Sequence, residues 1–142
     1  MLARAYLWLG MLEATVAMAV FCFVLNQGGW EYGEAMGKAA PLYLRATTAC
    51  LAAIVVAQVV NVFACRHHEE SVLRFGLTTN RLLLLGVAAE GLLILLIVYT
   101  PLGNAAFGTA PLSWQPWALM IVLGLTFGML EELRKAFMRR RA

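Results

Sequence analysis

Four side chains that hydrocarbon solvates poorly lie inside long apolar runs of the chain: Glu13, Gln58, Asn61 and Glu90. Glu13 and Glu90 each fall within about one residue of the centre of a run, where an ionised carboxylate costs at least ~2.5 kcal/mol on insertion scales. Such a group should face protein or a cavity rather than lipid. Gln58 and Asn61 are three residues apart and share one helix face, with Thr47, Cys50 and Ile54 continuing the stripe. Gln58 sits ~4 Å from the centre of its run at 1.5 Å per residue, so a neighbouring helix can carry Glu90 to within about a turn of it. One carboxylate with amide carbonyls suits a weakly held monovalent cation or a proton. The structural alternative keeps both glutamates neutral and bonded to backbone or hydroxyls, with the amides tying helices together.

The elements that must position these groups follow from composition. Of 142 residues, 62% are hydrophobic and 13% charged, against about 25% charged in soluble domains. Four runs, at about 3–25, 46–65, 82–100 and 116–133, are each long enough to cross ~30 Å of hydrocarbon, which leaves roughly 60 residues for everything else. The expectation is an all-α membrane protein, one four-helix bundle over 1–142, with no room for a water-soluble catalytic domain. The first run is too long for a signal peptide. Arg4, Arg66, Arg74, Arg81, Arg134, Lys135, Arg139, Arg140 and Arg141 fall on one side of this layout, and only Lys38 and Arg45 on the other. The positive-inside rule therefore predicts both termini and the 66–81 loop in the cytoplasm, with 26–45 and 101–115 facing outward as loops. The net charge of +3 reports topology and not nucleic-acid binding, and the tail basic cluster suits anionic lipid headgroups.

Trp30, Tyr32, Tyr43, Trp114 and Trp117 mark the outer span ends. Gly10 with Ala14, and Gly124 with Gly128, are small residues at helical spacing that let helices approach closely. Cys22, Cys50 and Cys65 lack paired spacing and read as core residues. The consecutive His67, His68, Glu69 and Glu70 do not have the spacing of a helical metal site. Gly37 and Lys38 are followed by Ala39, so no phosphate-cradling loop ends in lysine and hydroxyl.

Several patches carry a resemblance. They are Arg4-Ala5-Tyr6 with Gly10-Met11-Leu12-Glu13-Ala14, Ile54 through Asn61, Arg74-Phe75-Gly76, Asn80-Arg81, Glu90, Tyr99-Thr100-Pro101-Leu102-Gly103, and Glu131-Glu132-Leu133-Arg134-Lys135. In order and spacing the chain resembles the C-terminal four transmembrane helices, the seventh to the tenth, of a P-type cation-transporting ATPase, most closely in the sodium and calcium pump branch. The resemblance implies that Gln58, Asn61 and Glu90 are ligands of the transported cation. Gln58 matches the sodium-pump choice, whereas Asn61 stands where that pump has Asp and so removes one negative charge. Glu13 stands where it has Gln, and no ligand role is carried over to it.

The chain contains no Asp, so an aspartyl-phosphate cannot form on it. The resemblance implies a membrane domain that braces ion-binding helices, partnered by the remainder of the pump, with ATP and magnesium used by the full pump and no cofactor held by this chain. The implied location is a plasma (inner) membrane crossed several times, and the implied cargo a monovalent or divalent cation. Two other readings are an autonomous proton-coupled exporter with Glu13 as coupling residue, and a non-transporting assembly partner.

Overall fold

The computed structural model describes residues 8–35, 37, 40–65 and 80–139, with side chains at all of these except 64, 65, 138 and 139. Arg4, Lys38, Arg66, His67 to Glu70, Arg74, Arg140 and Arg141 lie outside the described residues, as do the resemblance patches at 4–6 and 74–76. The described residues form five helices: α1 Gly10–Gln27, α2 Pro41–Cys65, α3 Arg81–Tyr99, α4 Pro101–Phe107 and α5 Trp114–Arg139. By length and composition α1, α2, α3 and α5 can each cross a membrane. The four-span expectation holds in number and order, and the helix ends differ for local reasons. α2 begins five residues before the expected 46, because Pro41 fits a first turn in which its missing N–H is not needed. α3 begins at Arg81 because Asn80 caps it, its Oδ1 accepting from the amides of Leu82 at 3.1 Å and Leu83 at 3.2 Å.

The segment expected as a loop at 101–115 contains α4, an added helix. Thr100 accepts from the Gly103 amide at 3.0 Å, Pro101 occupies the first turn, and Gly108 ends the helix at φ 64°. A Cβ at Gly103 would stand 2.6 Å from both the Cα of Ile97 and the carbonyl oxygen of Leu96. Only glycine lets α4 fold this closely onto the end of α3.

In hydrocarbon, burial of apolar groups does little to drive helices together, so packing rests on close van der Waals approach and on hydrogen bonds. The interior of the bundle reflects this. Ala46, Ala49, Ala52, Ala53 and Ala57 of α2 are all fully buried. The first four join Val16, Ala17, Val20, Val24 and Leu25 of α1 in one core, which also takes in Ile94 and Val98 of α3 and Met120 of α5. A smaller cluster of Leu9, Ala57 and Phe127 closes the other end. On α5, Cβ atoms added at Gly124 and Gly128 would touch Val56 and Val60 at 3.4 Å, so this pair does permit close packing. Ala14 behaves differently: it is exposed, on an open face of α1 that includes Thr15, Met18, Ala19 and Cys22. Cys22 is thus on the surface, while Cys50 is half-buried against the core.

The last two turns of α5 continue its buried face. Met120, Gly124, Phe127, Glu131 and Lys135 recur at helical spacing and all are buried. Arg134 donates to both oxygens of Glu131 at 2.8 Å, and Lys135 donates to Glu132 at 3.1 Å. Glu131 and Lys135 of the closing charged run are thus taken into the packed end of the helix.

Candidate functional site

The candidate site is the polar band across the middle of α2 and α3. Glu90 is the middle residue of α3 and is half-buried. It lies one turn before Ile94, which is buried against the core. On α2 the five stripe residues do not share one environment. Thr47, Cys50, Ile54 and Asn61 are half-buried, whereas Gln58 is exposed beside Leu51 and Val62. The reason lies in the helix period: Ala53 and Ala57 take the inward positions, which turns Gln58, one residue after Ala57, away from the core. Thr47 satisfies its hydroxyl locally by donating to the carbonyls of Tyr43 at 2.9 Å and Leu44 at 3.1 Å.

A cleft of about 350 Å³ separates α2, α3 and α5. Val59 of α2 and Gly91 of α3 both line it, with Val56, Ile94, Trp117 and Gly124. Gln58 and Glu90 each precede one of these lining residues, so the two fall at similar depth along the bundle. The cleft itself is lined by apolar side chains. The side chains of Gln58 and Glu90 form no hydrogen bond or ion pair with a described residue, and Asn61 does have a partner. Glu13 is half-buried and likewise without such a bond. It sits in the first turn of α1 as described, on the stripe that continues to Ala17, Val20 and Val24. Among the described residues no group of three or more His, Cys, Asp or Glu side chains is placed to hold a metal ion.

One polar network has no marker in the spacing of the sequence. Trp117 donates from Nε1 to the Tyr99 hydroxyl at 2.8 Å, and that hydroxyl donates to the Leu112 carbonyl at 3.0 Å. Thr109 donates to the Ile97 carbonyl at 2.8 Å. The buried Thr48 hydroxyl accepts from the Ala110 amide at 2.9 Å while donating to Leu44 at 2.6 Å. These bonds tie the 108–113 segment across the ends of α2, α3 and α5. They fix how α3, the helix that carries Glu90, stands against α2. The nearest sequence signal is Tyr99-Thr100-Pro101, a cap followed by a first-turn proline.

Comparison with known proteins decides which family the chain belongs to. Residues 1–137 match the model of the family described as cation transporting ATPase, C-terminus. The chain belongs to that family. Over 100 residues it is 34% identical to the probable cation-transporting ATPase F of Mycobacterium tuberculosis, an alignment covering 70% of this chain and 11% of that protein. It is 28% identical over 95 residues to the endoplasmic reticulum calcium ATPase srcA of Aspergillus fumigatus, covering 67% of this chain and 10% of the relative. Over 159 aligned residues it is 24% identical to the potassium-transporting ATPase alpha chain 2 of Oryctolagus cuniculus, covering 95% of this chain and 14% of the relative. The chain thus spans about a tenth of the length of the curated relatives it matches. It is a C-terminal membrane domain of a P-type cation-transporting ATPase, and the named relatives include calcium, potassium and unspecified cation ATPases.

Proposed function

We propose that this chain braces the ion-binding helices of a cation pump and lends Gln58, Asn61 and Glu90 to one cation site completed by the rest of the protein. The observation that carries this reading is the state of Gln58 and Glu90. Both lie within membrane spans, flank one cleft, and find no hydrogen-bonding partner among the described residues. In hydrocarbon an unsatisfied amide or carboxyl is costly, so partners from outside the described residues are the natural completion. A cation needs more oxygen ligands than two helices supply, which gives the helices of the remainder of the pump a chemical as well as a steric role.

Surface composition supports the bracing role. The open face of α1 offers Ala14, Thr15, Ala19 and Cys22 around Met18, and α3 offers Gly86, Ala88 and Ala89 next to Glu90. Small residues of this kind admit a close neighbouring helix. Elsewhere α3 exposes Leu82, Leu85, Leu92, Leu93, Leu95 and Leu96, and α5 exposes Ile121, Val122, Leu125 and Met129, as suits contact with lipid tails. With the match running through residues 1–137 to the pump family, we set aside the exporter reading in which Glu13 is the coupling residue.

We place the parent protein in the sodium and calcium pump branch, with the termini and the 66–81 connection in the cytoplasm and the plasma (inner) membrane as its site. ATP and magnesium act on domains outside this chain. The test is cation-activated ATP hydrolysis by the full-length pump. Glu90→Gln and Gln58→Ala should each raise the cation concentration needed for half-maximal activity, by roughly tenfold for the carboxylate, equivalent to ~1.4 kcal/mol. Unchanged activation in both variants would reduce these residues to packing.

A further inference from the structure

At the end of the bundle where Gly28 and the 108–113 segment lie, a cavity of about 280 Å³ opens between the end of α1, the first turns of α2 and the start of α5. Its wall is divided. Val24, Leu42 and Pro116 form an apolar side, and Gln27, Arg45 and Ser113 a polar one. Arg45 is exposed and forms no ion pair with a described carboxylate. The acids of the neighbouring connection are engaged elsewhere or left free of it. The Glu34 carboxylate accepts from the Glu31 amide at 3.3 Å, and the Glu34 carbonyl accepts from Trp30 Nε1 at 3.2 Å. Neither glutamate pairs with Arg45.

Arg45 lies about one turn into α2, ~6 Å from its start at 1.5 Å per residue, with Tyr43 in the same first turn and Trp114 and Trp117 in the first turn of α5. Aromatic residues of this kind settle at the headgroup layer. A guanidinium there presents a rigid fork of donors that matches two phosphate oxygens. We infer that this cavity binds the phosphate of an anionic membrane lipid, with Arg45 as its charged partner. Gln27 and Ser113 supply neutral donors, and Val24, Leu42 and Pro116 take the glycerol and first methylenes. The divided wall favours a lipid phosphate over a free one, which would gain nothing from the apolar side. This site is distinct from the polar band of α2 and α3 and does not depend on which cation is moved.

The test is native mass spectrometry of the full-length protein in detergent, titrated with phosphatidylglycerol, with phosphatidylcholine, or with inorganic phosphate. One phosphatidylglycerol should be retained at least tenfold more tightly than phosphatidylcholine. Arg45→Gln should abolish that preference and Arg45→Lys should keep part of it. Ser113→Trp, which fills the mouth while leaving the charge, should weaken retention as well. Equal retention of both lipids, or phosphatidylglycerol retention unchanged in Arg45→Gln, would overturn the proposal. So would Arg45-dependent uptake of inorganic phosphate without a lipid preference, which would make the cavity a free-anion site.

Discussion

At the residue scale, the informative contrast is between polar side chains that are satisfied within the chain and those that are not. Thr48 belongs to the first kind: it accepts from Ala110 and donates to Leu44 while fully buried. Thr48→Val should leave the Ala110 amide without its acceptor and cost ~1–3 kcal/mol. The expected readout is a lower unfolding midpoint of the protein in detergent, and an unchanged midpoint would mean that water replaces the hydroxyl. Gln58 belongs to the second kind, and half-buried Asn61, which has a partner, stands three residues further along α2. If it borders a cation site, Asn61→Asp should raise apparent cation affinity several-fold in the full-length pump, because a carboxylate replaces a neutral oxygen near the ion. Weaker activation would place Asn61 among packing contacts.

At the scale of elements, two glycine contacts set how the helices meet. Gly124 and Gly128 let α5 rest directly on Val56 and Val60 of α2. Gly124→Leu should force these helices apart at a cost of ~1–3 kcal/mol, the range for overpacking a filled interface. Its effect should exceed that of Leu125→Ala on the exposed face, measured as loss of folded protein on heating. Gly103 is more constrained still, since an added methyl would meet backbone atoms of Leu96 and Ile97. Gly103→Ala should detach α4 and expose the Thr109 and Ile97 region to faster amide hydrogen exchange. Protection equal to the unaltered protein would show that α4 tolerates a shift.

How much of these elements is legible in the sequence depends on the range of the forces involved. The four spans follow from apolar run length, and the start of α3 from an asparagine that caps its own neighbours. α4 is not legible, because it exists through a close contact with α3. Nor is the burial of Glu131 and Lys135, two charged residues in a run whose local composition suits the membrane surface. They enter the packed face because they continue the period of Met120, Gly124 and Phe127.

At the scale of the whole molecule, the bundle has unlike surfaces. α3 and α5 turn many long aliphatic side chains outward, while α1 presents a face of Ala14, Thr15, Ala19 and Cys22 with Met18 among them. If the latter face receives the remainder of a pump, Ala19→Trp should leave this bundle folded and yet lower the yield of assembled, cation-activated ATPase in the full-length protein. Leu125→Trp, on an aliphatic face, is the control and should leave that yield unchanged. Equal yields from the two variants would mean that α1 faces lipid.

By itself the sequence determined the solvent of this protein, the number and order of its spans, and the residues that hydrocarbon would tolerate least, because run length and side-chain polarity act locally. The same patches pointed to the cation-transporting ATPase C-terminus family, which the match over residues 1–137 bears out. Only the tertiary structure decided that Gln58 is exposed while Glu13, Asn61 and Glu90 are half-buried. A stripe three residues apart names a helix face without saying what covers it, and the five buried alanines of α2 claim the inward side. The divided cavity beside Arg45 is a tertiary feature for the same reason: its walls come from residues some ninety positions apart, Val24 to Pro116, and their meeting depends on how the helices close.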